Sequence, residues 1–175
     1  MSTQKSHRWP LVIGAAAFAL STVSAWSSAS AAPRGGNKDQ QFMTEAIQGD
    51  LAEIQMGKLA QEKGQGDRVK QFGKMLEEDH SENLQKAQQI ADKNGLKKPS
   101  EPNAMQERAY RKLSNLPAGK FDASFAGDMV RDHQKDVSKY QKEANSTSDL
   151  ADFAKQTVPV LQKHLQAAEA LTSKK

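Results

Sequence analysis

Four stretches of this chain, near residues 39–63, 67–94, 120–145 and 148–172, carry apolar side chains at steps of three and four. That spacing lines up one face of an α-helix, and no run of alternating β-branched or aromatic residues offers a strand. The first stretch has Phe42, Ala46, Gly49, Met56 and Ala60, and the second Val69, Phe72, Leu76, Leu84, Ala87 and Ala91. The third has Phe121, Phe125, Met129, Val137, Tyr140 and Ala144, and the fourth Leu150, Phe153, Val160, Leu161, Ala168 and Leu171. Most remaining positions hold Ala, Lys, Gln and Glu, which favour helix on their own account. An all-α chain is expected, whose helices must cover one another's apolar stripes.

Punctuation sets the order of the helices. "KGQGD" (Lys63 to Asp67) breaks the first helix, "KNGLKKPSEP" (Lys93 to Pro102) the second, and "ANSTSD" (Ala144 to Asp149) the third long one. "NLPAGKFD" (Asn115 to Asp122) ends a short extra helix near 102–114 in the central connection. Gly95 stands where a C-cap glycine belongs, and Ser100 or Ser148 is placed to cap the helix after it. Long helices joined by tight turns make antiparallel hairpins. Two hairpins joined by a longer crossing segment give a ferritin-like antiparallel four-helix bundle; an up-down-up-down bundle is the alternative.

The N-terminus reads differently. Lys5 and Arg8 precede an apolar and small-residue run from Pro10 to Trp26, and Ala29-Ser30-Ala31 fits an A-x-A cleavage site. Residues 1–31 are therefore expected to be a secretory signal peptide, 32–38 a flexible leader and 39–172 the bundle domain. The expected location is the periplasm, peripheral to the envelope at most, with no integral membrane segment after cleavage. With no cysteine in the chain, disulfides, thiolate nucleophiles and sulfur ligands are excluded, so any metal must be held by nitrogen and oxygen. Removing residues 1–31 leaves 23 basic against 21 acidic residues, a net charge of +2 with the signs interspersed. That is too mild a balance to argue for a nucleic-acid partner.

The polar residues that interrupt the stripes carry the chemistry. His80 falls between Leu76 and Leu84, His133 between Met129 and Val137, and His164 between Val160 and Ala168. Glu53 breaks the first stripe between Gly49 and Met56. At a rise of about 1.5 Å per residue, Glu53 lies roughly 15 Å beyond the first turn of its helix and His80 roughly 20 Å along the next, with His133 roughly 18 Å from the end of its helix and His164 roughly 24 Å from the start of its own. One potential ligand per long helix thus meets near mid-bundle. Glu77 stands three before His80, the spacing that pairs a carboxylate with an imidazole on one helix face in di-iron bundles. Val130 and Leu161 occupy the matching positions before His133 and His164, so a symmetric di-iron site is not supported. Asp79 and Asp132 each precede a histidine, about 100° round the helix, where they can accept from an imidazole of a neighbouring helix.

The phrases "FMTEAIQGDLAEIQMGKLA", "VKQFGKMLEEDH", "GKFDASFAGDMVRDH" and "VPVLQKHLQAAEAL" resemble the exported ferritin-like domain of unknown function 4142 family, often labelled a predicted outer-membrane protein. The resemblance covers roughly residues 39–171. It implies a ferritin-like bundle outside the cytoplasm, with Glu53, His80, His133 and His164 at the family's recurring polar positions, and it implies no activity. Nothing in the chain alternates like a barrel strand, so the outer-membrane label does not suit it.

The leading expectation is one divalent ion (Zn, Fe, Mn or Cu) held by Glu53, His80, His133 and His164 with Glu77 as a fifth ligand, in a protein of stress or metal handling. The alternative is a non-catalytic envelope stress or interaction protein in which the same groups form a buried polar network without metal. A true oxidase is disfavoured by the missing second Glu-x-x-His. There is no phosphate-binding glycine loop or nucleophile elbow.

Overall fold

The computed structural model describes residues 36–173, and all five of the regular elements there are helices, with no strand among the described residues. They are α1 (Asn37–Lys63), α2 (Asp67–Asn94), α3 (Ala104–Ser114), α4 (Ala118–Ala144) and α5 (Ala151–Thr172). The expected signal peptide and the start of the leader lie outside the described residues, and Asn37 and Lys38, expected in the leader, are already the first turn of α1.

Local chemistry explains the helix ends. Gly95 closes α2 with φ 65°, which lets the Leu96 amide reach back to the Ala91 carbonyl at 2.9 Å while the Leu96 side chain is buried. The cap of α3 is Asn103, not Ser100: its side chain accepts from the Met105 and Gln106 amides, and the Gln106 side chain accepts from the Asn103 amide. Ser148 is also used differently, accepting from the Leu150 amide at 2.9 Å within a turn, so that α5 begins only at Ala151. Pro159 is exposed, and α5 continues through it.

α1 and α2 form one hairpin and α4 and α5 another. In the first, Gly57 and Gly73 bring the two backbones together: a Cβ on Gly57 would stand 2.5 Å from the Gly73 carbonyl oxygen, and one on Gly73 2.6 Å from that of Gly57. The link between hairpins runs the length of α1. It starts beside the N-terminal end of α1, where the Gln40 side chain bonds both the amide and the carbonyl of Lys97. It finishes beside the other end, where the Lys63 ammonium donates to the Ser114 and Leu116 carbonyls. Asp122, in the first turns of α4, then accepts from the Gln65 and Gly66 amides at the start of α2. α4 therefore starts at the same end of the bundle as α2 and runs in the same direction diagonally across from it, and α2 meets α5 while α1 meets α4.

The core is divided. Phe42, Met43, Ile47, Ala87, Tyr140, Leu150, Phe153 and Leu161 belong to one apolar cluster. Met56, Val69, Phe72, Leu76, Phe121, Phe125 and Met129 belong to a second. Between these groups along the helices lie the buried polar residues Asp50, Glu53, His80, His133 and His164, with Thr157 one turn further into the first group.

Candidate metal centre

Each histidine enters this polar layer on the apolar stripe of its own helix. His80 lies one turn after buried Leu76, His133 one turn after buried Met129, and His164 between buried Leu161 and Ala168. The three rings meet with centroids 5.1–5.9 Å apart, and one nitrogen from each lies within 4.8 Å of the others. Phe72 packs against His133 and His164 at 6.5 and 6.4 Å and closes the cluster on the side of the second apolar half.

The outward nitrogens are held by acceptors, which fixes the inward ones. His133 Nδ1 lies 3.0 Å from the Met129 carbonyl oxygen, which can only accept, so Nδ1 carries the proton and Nε2 offers a lone pair. His164 Nε2 donates to Asp79 Oδ2 at 2.8 Å and leaves its Nδ1 unprotonated. Burial favours a protonated Asp79, but hydrogen bonds from His164 and Lys163 outweigh it and hold that carboxyl below its ordinary value. His80 Nδ1 lies 2.8 Å from Asp50 Oδ1, and the Asn83 amide donates to both oxygens of Asp50. Thr157 donates in turn to the Asn83 carbonyl oxygen at 3.0 Å. His80, His133 and His164 are thus each oriented by a carboxylate or carbonyl on the far side, the support that metal-bound imidazoles need.

The inward geometry suits a small cation. His133 Nε2 and His164 Nδ1 face each other at 3.3 Å. A tetrahedral ion with bonds of about 2.0–2.1 Å to nitrogen holds its ligand atoms about 3.3 Å apart. Burial, followed by repulsion from His80, pushes His133 down to about 3; burial and the charge of His80 push His164 down to about 4, so both rings are neutral at pH 7. His80 goes the other way: burial alone would lower it, but its hydrogen bond with Asp50 and the charges of Asp50, Glu53 and Asp136 raise it. The surroundings favour one positive charge at this point, which a protonated His80 or a cation bound in place of that proton would supply.

The carboxylates sort themselves less evenly. Glu53 is buried, and burial raises it to about 8 despite the opposing charge of His80. Its Oε2 and His80 Nε2 are the buried side-chain atoms without a hydrogen-bond partner among the described residues. Glu53 is nevertheless not within the close group, which consists of the three histidines. Glu77 is turned away, accepting from Gln61 at 2.7 Å and lying 3.7 Å from the Lys58 ammonium. Of the two expected supporting acceptors, Asp79 receives His164, whereas Asp132 pairs at 3.7 Å with Lys135 of its own helix.

Sequence reasoning missed Asp50, and with it Asn83 and Thr157. The buried stripe of α1 runs through Ala46, Ile47, Asp50 and Glu53, leaving Gly49 at its edge. An acidic residue at i, i+3 from Glu53 and i, i+4 from Ala46 was the available signal.

A helical bundle with three supported imidazoles converging in its core is the class of protein defined so far. The family model described as Domain of unknown function (DUF4142) matches residues 24–171, and the chain belongs to that family. Neither a curated protein nor a solved structure matches it.

Proposed function

We propose that this chain is an exported protein whose four long helices form a ferritin-like bundle and hold one divalent transition-metal ion between His80, His133 and His164. Glu53 turns in as the fourth ligand. One observation carries this reading: three imidazole nitrogens lie within 4.8 Å of one another while Asp50, the Met129 carbonyl and Asp79 hold the opposite nitrogens. A histidine that merely fills a core needs one partner; these spend that partner outward and point the other nitrogen at a common centre. The unpartnered Glu53 Oε2 supports its assignment as the fourth ligand.

Imidazoles with one carboxylate suit zinc, copper, iron or manganese, and among these the nitrogen-rich set favours zinc, copper and iron. Two antiparallel hairpins and a link running the length of α1 support the ferritin-like assignment. The basic start, apolar run and Ala29-Ser30-Ala31 support export, and no described helix is long and apolar enough to cross a membrane. The role that follows is metal handling or stress protection in the periplasm or envelope.

A metal-free polar network is the competing reading, favoured by the raised pKa of His80, which can place a proton where the ion would sit. Cobalt(II) separates the two. Titrated into protein stripped by chelator, it should give visible ligand-field bands that saturate at one equivalent and vanish in His133→Ala with helicity retained. No bands in the unsubstituted protein would leave the network reading standing.

A further inference from the structure

Two clefts approach the polar layer from opposite sides, and they differ in what lies at the bottom. The one between α2 and α5 is the larger, about 90 Å³, lined by residues that include Asp79, Glu82, Asn83, Gln156 and Thr157. None of the three imidazoles lines it: Asp79 is occupied by His164, and Asn83 by its bonds to Asp50 and Thr157. The cleft between α1 and α4 is narrow, about 10 Å³, room for roughly one water. Its lining includes Glu45, Gly49, Asp50, Asp136 and His80 itself.

This narrow cleft is shaped for a small cation. Gly49 leaves its wall bare, since a Cβ there would meet nothing within 4 Å. Glu45 and Asp136 face each other across the helices, and Asp50 lies deeper beside His80. A single cation spans the two walls: Lys139 lies 3.0 Å from Glu45 and 3.4 Å from Asp136. We propose that divalent cations reach the three imidazoles through the α1–α4 seam, drawn by Glu45, Asp136 and Asp50, and that Lys139 is the latch that must leave its two carboxylates to let them pass. This rests on the metal-binding reading above. It assigns Asp136, Lys139 and Gly49 to the rate of loading, because none of them holds the bound ion.

The test is the rate at which chelator-stripped protein takes up cobalt(II), followed by stopped-flow absorbance at low ionic strength. Asp136→Asn should slow loading about tenfold and Lys139→Met should speed it by a similar factor, since a charge lining a confined route acts on the association rate. Gly49→Val should slow it by bulk alone. Gln156→Trp, which fills the larger cleft, should leave it unchanged. All four variants should reach the same final cobalt content, with folding checked by circular dichroism. Charge and bulk probe the passage separately, so failure of one variant to fold leaves the other decisive. Loading that ignores both Asp136→Asn and Gly49→Val, or that slows only in Gln156→Trp, would overturn the route while leaving the metal site in place. No uptake by the unsubstituted protein would remove the site and the route together.

Discussion

The two apolar halves of the core and the polar layer between them are built from the same helices, yet they contribute in opposite ways. In the second apolar half Phe121 and Phe125 stack at 5.7 Å and Phe72 packs on Phe125 at 5.9 Å, so each ring replaces water with carbon. In the polar layer the same burial acts against the side chains, pushing His133 down to about 3, His164 down to about 4 and Glu53 up to about 8. A chain selected for stability alone would fill those positions with Leu or Met. The difference teaches that the halves hold the bundle while the layer works against its stability, as the proposed metal site would require.

Substitutions should break the comparison cleanly. The largest effect belongs to Phe125→Ala, which should lower unfolding free energy in urea by about 3–5 kcal/mol while the folded fraction still gives the full cobalt spectrum. His133→Leu should do the reverse, abolishing the cobalt spectrum with the metal-free stability held or raised. A loss of about 1–3 kcal/mol there would instead mark His133 as a member of a structural network. Asp79→Asn, which weakens the acceptor shared by His164 and the exposed Lys163, should weaken the metal by about 10–100-fold with little change in melting temperature, measured by chelator competition.

The smallest effect sharpens the layer itself. His133 and His164 protonate only near pH 3 and 4, so neither competes with metal above pH 5, and among the imidazoles the acid limb of binding falls to His80, which its hydrogen bond with Asp50 holds above its ordinary value despite burial. Affinity should therefore fall as pH drops through the pKa of His80, with a one-proton slope from that ring. Glu53 is held protonated up to about 8 and must also release a proton to coordinate. An indicator dye at pH 7 should report proton release that drops by one in Glu53→Gln; an unchanged release would exclude Glu53 as a ligand.

Much of this was legible in the sequence because helical period ties position to burial. His80, His133 and His164 could be put in the core by counting threes and fours, and their common height by counting turns. Asp50 escaped because the stripe of α1 is offset by one residue from Gly49, and a phase error of about 100° hides a neighbour. Glu77 shares a helix face with His80, but the contact of Gly57 with Gly73 gives that flank to Gln61 and Lys58. The Met129 carbonyl was beyond reach for another reason, since every residue carries one and only the rotamer of His133 selects it. The link from Gly95 to Pro117 has no periodicity that fixes its direction; the ties of Gln40 and Lys63 do.

The most direct measurement is elemental mass spectrometry of the protein purified without chelator or affinity-tag metal, beside the His80/His133/His164 triple alanine variant. The account predicts about one divalent ion per chain in the first and none in the second. No metal in either, even after incubation with zinc, iron, manganese and copper in turn, would contradict it and make the convergence of imidazoles a structural network.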